Sequence, residues 1–268
     1  TLNAGVVKLG SASTTLNSPL GGSGGVIVST GATLDLNGYG MSKFLSLTGG
    51  TLINTSTDSV TYTGTVGANG GTIKTDYGAL YLSSIGGTSS ITLDGTTGGS
   101  ISGDIGSNLG SKPSGFIKKG SGTWVLNSAN IWTSGSTPFD IQAGTLQLGS
   151  TLSRLSISGT VNIASGAKLD VASNSDLTLS TTLTGSGTLS KSGGSTSTLT
   201  LGASLGSPSF SGPVTVSSGV IAVGYASQAN VPYSYLGTGN VTVFSGGALD
   251  VSSKPISNNI TINGTGVN

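Results

Sequence analysis

Three phrases recur along this chain, and their recurrence limits the fold more than any other feature. The first reads Ala-Gly-x-x-x-Leu-Gly-Ser. It stands at Ala4-Gly-Val-Val-Lys-Leu-Gly-Ser11 and at Ala143-Gly-Thr-Leu-Gln-Leu-Gly-Ser150, with a looser copy at Ser218-Gly-Val-Ile-Ala-Val-Gly-Tyr225. A second phrase follows each: Gly31-Ala-Thr-Leu-Asp-Leu-Asn-Gly38, Gly166-Ala-Lys-Leu-Asp-Val-Ala-Ser173 and Gly247-Ala-Leu-Asp-Val-Ser-Ser253. A third precedes two of them, beginning at Gly115-Phe-Ile-Lys-Lys-Gly and at Gly187-Thr-Leu-Ser-Lys-Ser. In the run Gly144-Thr145-Leu146-Gln147-Leu148 the leucines are two residues apart, so on a strand they share one face and Gln147 takes the other. That is the pattern of a half-buried strand. The chain holds two clear copies of a long unit and a more diverged first copy. Within a unit, apolar runs return about every 20–27 residues, which is the range of solenoid coils.

A coil that short cannot bury its apolar side alone. Coils stacked on one another bury a continuous interior and satisfy each strand's N–H and C=O groups with the strands above and below. The 47 glycines supply positive-φ turns between strands, and they lack the Gly-x-y period of collagen. Alternation predicts strands at 6–9, 26–28, 33–36, 44–47, 51–53, 60–63, 72–74, 79–82 and 91–93. It predicts more at 123–126, 139–141, 145–148, 155–157, 161–163, 168–171, 177–179, 188–189, 199–201, 214–216, 220–223, 241–244, 249–251 and 260–262. Residues 107–115 form a loop in which Pro113 is barred from a central ladder, and 225–236 is the longest passage off the pattern. No segment carries capped i, i+3, i+4, i+7 spacing, so no α-helix is expected. The expected fold is all-β: a parallel β-solenoid of about 11–13 coils, roughly 50–65 Å long at ~4.8 Å per coil. Leu146, Leu148, Leu169, Val171, Leu249 and Val251 are expected to point inward, and Gln147, Asp170 and Asp250 outward.

The run Lys119-Gly-Ser-Gly-Thr-Trp-Val-Leu-Asn-Ser-Ala-Asn130, followed by Ala143-Gly-Thr-Leu-Gln-Leu-Gly149, resembles the autotransporter-associated β-strand repeat, also called the passenger-associated transport repeat. Residues 236–267 are similar to the usual continuation of such repeats. The likeness extends over about two thirds of the chain; residues 55–110 share only its texture. It implies a right-handed parallel β-helix on a large secreted bacterial surface protein, with no shared catalytic residues. The sequence departs from the family at Ser192-Gly-Gly-Ser195 and at Ala172-Ser173, where Gly-Ser-Gly and Asn-Gly are usual.

Net charge is +1, only 7% of residues are charged, and Arg154 is the sole arginine beside nine aspartates and no glutamate. That balance argues against a surface for nucleic acid or anionic lipid. The absence of cysteine excludes disulfides and thiolate metal sites. No apolar run approaches the ~20 residues of a membrane helix, so no membrane insertion by this segment is expected. No charged leader and apolar stretch opens the chain. Residues 1–268 read as one elongated solenoid domain, a segment of a longer repeat protein.

Catalytic signals are weak. No histidine is present, which removes the commonest general base and metal ligand; serines need an activating base. Polysaccharide-cleaving β-helices need clustered carboxylates, and the aspartates stand apart in sequence. Asp35, Asp170 and Asp250 share one repeat position and read as outward, solubilising charges, although stacking can gather dispersed residues. No cofactor and no metal are expected. Gly120-Ser-Gly122 and Gly185-Ser-Gly187 lack the third glycine and helix of a dinucleotide site, and Gly21-Gly-Ser-Gly-Gly-Val26 lacks the Asp of a calcium repeat. Thr61/Thr63 and Thr198/Thr200 suit ladders for ice or sugar, or simply the β-propensity of Thr. Trp124, Trp132, Phe116 and Phe139 suit packing better than a carbohydrate platform. The candidate contact surface is Tyr225, Tyr233 and Tyr235, on the off-pattern passage.

The expected function is a non-enzymatic extracellular module at the bacterial surface: a stalk or adhesin segment, or one that stacks into a fibre. Its expected partners are flanking repeats or other copies end to end, and host-surface or matrix glycans. The rival is a carbohydrate-active or carbohydrate-binding β-helix. Three or more Asp in one groove would mark the rival; a smooth Ser/Thr surface would mark the stalk.

Overall fold

The computed structural model describes residues 1–12, 20–22, 24–106, 111–202, 209–224, 235–251 and 256–264. Among these there is no helix, and the strands coil into a parallel β-solenoid of about ten turns. At ~4.8 Å per turn the stack is ~48 Å long. The turns run from 18 residues (Thr33↔Thr51) to 27 (Val6↔Thr33, Val214↔Val241), and ten strands stack in the first sheet where 11–13 coils were expected.

Three faces run the length of the stack. The first is a ten-stranded sheet from Gly5–Lys8 through Ala32–Asp35, Phe116–Lys118 and Phe139–Ile141 to Ser209–Phe210. The second carries Gly98–Ile101, Thr123–Leu126, Thr145–Leu148, Lys168–Val171, Thr188–Lys191, Val214–Val216, Val241–Phe244 and Ile260–Asn263. The third runs from Val26–Ser29 and Leu45–Thr48 to Thr198–Leu201, Gly219–Val223 and Gly247–Asp250. Val60–Asn69 and Leu80–Gly87 turn a corner, with a register shift between Tyr62 and Thr65. Their first halves belong to the second face and their second halves to the third.

Alternation turns this winding into a core. On the second face Leu80, Gly99, Trp124, Leu146, Leu169, Leu189, Val214 and Val241 stand one above another in register. Trp124 is fully buried, and its Nε1–H donates to the Asp94 carbonyl at 3.3 Å. Gly99, directly beneath, leaves space for the indole; a Cβ there would press on the ring at 3.1 Å. This explains a strand the alternation missed: Gly98-Gly99-Ser100-Ile101 reads as a turn, yet its glycines answer to adjacent coils, Gly98 (φ 92°) to the Thr123 backbone and Gly99 to the Leu80 carbonyl as well as the indole. Phe116 and Phe139 pack inward on the first face, ring centroids 6.3 Å apart. Leu146, Leu148, Leu169 and Val171 are buried as expected, while Leu249 and Val251 are half-buried. Gln147 faces outward, half-buried, and Asp250 is exposed.

The long unit does not return to the same face. Gly5-Val-Val-Lys8 lies on the first face, Thr145–Leu148 on the second and Gly219–Val223 on the third. In each copy the second phrase sits one turn above the first, as Gly5↔Ala32, Thr145↔Lys168 and Gly219↔Gly247 show. The spacings, 139 residues from Gly5 to Gly144 and 75 from Gly144 to Gly219, correspond to six turns and three turns, each plus one further face. A phrase written for one face works on all three because the faces are locally alike: two inward apolar positions, one outward residue and a corner. At the corners Gly144 (φ 63°) and Gly219 (φ 71°) adopt the left-handed conformation while lying against the Gly120 and Gly194 carbonyls, with no room for a Cβ.

Leu148 is in register with Leu126 below and Val171 above, so Leu148→Asp is expected to destabilise the chain by about 4 kcal/mol, the cost of an unpaired carboxylate in an apolar column. Gln147→Asp, on the outward side of the same strand, is expected to cost far less. Comparable thermal-unfolding midpoints for the two variants would contradict this register.

Candidate functional site

The shared repeat position of Asp35, Asp170 and Asp250 disperses them, one to each face. Only Asp250 is exposed; the expectation of outward, solvated charge fails for the other two. Asp35 accepts from the Asn37 N–H (2.9 Å), the Thr55 N–H (3.1 Å) and the Thr55 hydroxyl (2.6 Å), with Lys8 Nζ at 3.7 Å. Asp170 accepts from Gln147 Nε2 (2.7 Å) and the Ser192 hydroxyl (2.8 Å) through Oδ2, while Oδ1 takes no hydrogen bond and faces Lys168 Nζ at 3.6 Å. The physical reason is lateral cover: an outward residue on one coil is flanked by coils above and below, whose polar side chains fold over it. Asp140 is covered in this way by Asn162 of the next coil, with Gln142 of its own coil donating to its other oxygen. Among the described residues no three His, Cys, Asp or Glu side chains gather where a metal ion would fit.

Two cations lie where leucines would be expected. Lys118 stands in the inward column between Leu93 and Ile141, and Lys191 between Val171 and Val216; both are fully buried. Lys118 Nζ donates to the carbonyls of Lys119, Gly120 (2.7 Å) and Ala143 (3.2 Å). Lys191 Nζ donates to the carbonyls of Gly193 and Ser173 (3.4 Å). Each ammonium thus fills the inside of a corner and caps carbonyls that the turn directs inward. The two occupy the same place in the repeat, on different faces. Burial pulls the Lys118 amine down to about 8, opposed by the more distant Asp94. Burial likewise lowers that of Lys191, against Asp170 and Asp176. Alternation gave no warning of these lysines, but both copies of the third phrase carry a lysine just before a glycine-rich turn, which was a signal.

The outer surface is largely Ser and Thr. The longest threonine ladder is not formed by the sequence-adjacent pairs. It is assembled between coils on the first face, from Thr33, Thr51, Thr72 and Thr92 in continuous register. Tyr225 and Tyr233 lie outside the described residues, and Tyr235 packs half-buried against the core. The exposed tyrosines are others: Tyr39, Tyr77 and Tyr81, all in the early coils near the corner between the first and second faces. Alternation alone places Tyr81 outward, but neighbours from other coils decide exposure.

The buried lysines make stability depend on pH. Lys118 holds its proton less tightly folded than at the ordinary lysine value of 10.5. Between about pH 8 and 10.5 the folded chain therefore binds fewer protons than the unfolded chain, and stability rises with pH. Tyr62, whose burial raises its pKa above the ordinary 10.0, acts oppositely: its contribution is lost once unfolded tyrosine ionises. The thermal midpoint is expected to climb from pH 8 towards pH 10 and then turn over, and Lys118→Met is expected to flatten the climb. A wild-type midpoint that falls steadily across this range would contradict the assignment. No protein-family model matches this chain, and no curated protein and no solved structure matches it.

Proposed function

We propose that this chain is a non-enzymatic structural module of the bacterial cell exterior, a rigid stalk or fibre-forming segment of an autotransporter-like surface protein. The observation that carries the reading is the parallel stacking of coil on coil: ten strands in the sheet of the first face and twelve in a sheet that passes from the third face to the second at Val60–Asn69 and Leu80–Gly87, with inward positions nearly all apolar. Such a rod holds what lies beyond it at a fixed distance, and its sparse charge makes that stiffness weakly dependent on salt. The dispersal of the aspartates and the Ser/Thr surface fit a stalk better than a polysaccharide hydrolase or lyase.

End-to-end association belongs to the same reading. Ile260 and Ile262 continue the inward column, in register with Val241 and Val243, yet are 42% and 66% exposed. Strand Ile260–Asn263 pairs on one side with Val241–Phe244. An exposed apolar strand in the inward column is a template for another coil, from flanking repeats or from another copy. Head-to-tail stacking of copies is heterologous and gives a filament.

Sedimentation over a wide concentration range tests this. Association that grows with concentration and is abolished by Ile262→Asp, with no new reducing ends from plant or bacterial polysaccharides, is the expected outcome. A wild-type monomer at high concentration would remove the fibre-forming reading, and turnover of any polysaccharide would remove the non-enzymatic one.

A further inference from the structure

We propose that the corner carrying Tyr39, Tyr77 and Tyr81 is a stacking platform for a neutral, extended polysaccharide, a role beyond that of a passive stalk. The three rings are 36%, 58% and 43% exposed. Large aromatics are ordinarily placed where they pack, and exposed apolar surface grouped in one region marks contact with something.

The rings stand on rigid mounts. Tyr81 is on an outward strand position, in register with Thr61 on one side and Ser100 on the other. Tyr77 lies on the corner leading into that strand. Its carbonyl accepts from the Thr97 hydroxyl (2.6 Å), the Asp76 carbonyl from the Thr96 hydroxyl (3.1 Å), and the Gly78 N–H donates to the Ser56 carbonyl (2.8 Å). Tyr39 closes a turn through its N–H to the Leu36 carbonyl (2.8 Å), beside Gly38, whose N–H donates to Asn54 Oδ1 (3.0 Å). Met41 bridges to Tyr62, which sets Tyr39 two turns, about 10 Å, from Tyr81 along the axis. Backbone held in this way pays little ordering entropy on binding.

The surroundings select the ligand. Gly40 and Gly78, next to Tyr39 and Tyr77 in the chain, and Thr61 and Ser100, in register with Tyr81, are small, and the last two bring hydroxyls. Lys74 is ion-paired to Asp76 at 2.8 Å, and Asp58 adds negative charge. Lys8, at the edge below Tyr39, faces Asp35 at 3.7 Å, so a polyanion such as nucleic acid or a polyuronate finds these cations already paired. A protein partner would need a broader apolar core than isolated rings among small polar residues. A neutral sugar chain presents apolar C–H faces to the tyrosines and hydroxyls to Asp58, Thr61 and Ser100. Rings at fixed axial spacing suit a chain running along the solenoid.

The test titrates the whole chain with cellohexaose and chitohexaose, neutral β-1,4-linked probes, with polygalacturonate and single-stranded DNA as polyanions. Expected is binding of at least one hexasaccharide, weakened about fivefold by Tyr77→Ala or Tyr81→Ala and lost in the triple variant with Tyr39→Ala. Phe44→Ala, at an exposed aromatic on the third face, leaves binding unchanged, and unaltered thermal midpoints show the variants folded. No binding of either hexasaccharide, undiminished binding by the triple variant, or preference for a polyanion overturns the proposal. Tyrosine-dependent binding followed by cleavage supports the platform while overturning the non-enzymatic reading, so the two fail separately.

Discussion

The structure depends on one constraint: no coil satisfies its own backbone. Each strand gives and takes its ladder hydrogen bonds with the coils above and below, so a turn taken alone would leave its N–H and C=O groups unpaired. Side chains obey the same rule. Trp124 requires Gly99 beneath it, and Asp35 requires Thr55 from the next turn. Stability is therefore a property of neighbouring pairs of coils, and the effect of any substitution is decided one turn away.

That constraint explains what was legible in the sequence. Period-two alternation reports a local fact, which residues face inward, and it located Leu146, Leu148, Leu169 and Val171 correctly. The repeated phrases report a requirement for stacking, and the parallel solenoid followed from them. What alternation does not carry is the identity of the residue one turn away. Asp170 was assigned outward and is outward, but Gln147 and Ser192 from adjacent coils close over it. Gly98–Ile101 was missed because its glycines answer to the backbone and the indole of adjacent coils rather than to their own strand. For the candidate surface the gap was wider. Exposure of Tyr39, Tyr77 and Tyr81 follows from small neighbours on other coils, which only the register discloses.

The stepping of the repeat from face to face has a related cause. Were the unit a whole number of turns, each phrase would fall on one face, and every Asp, Lys and corner glycine would line up along one edge. With an extra third of a turn, equivalent residues wind around the rod. Asp35, Asp170 and Asp250 are separated, and Lys118 and Lys191 are placed at different corners. Like charges stacked ~4.8 Å apart would repel; winding spreads them. The faces stay interchangeable because each needs only two inward apolar positions and a glycine corner.

The buried lysines show the limit of that interchangeability. A leucine at 118 would fill the column at lower desolvation cost, but would take away the side-chain donor that the inward carbonyls of Gly120 and Ala143 share; at 191 it would take away the donor to the Gly193 carbonyl and leave Ser173 to the Ser197 hydroxyl. A neutral short side chain can cap a tight corner, as Asn54 does by donating to the Asp58 and Gly78 carbonyls. At Lys118 and Lys191 the ammonium takes that part, on carbonyls of its own turn and of a neighbouring coil at once. The charge comes with the reach: lysine is the residue that joins a four-carbon apolar stem to several donors. The lowered amine pKa is thus a by-product of corner geometry.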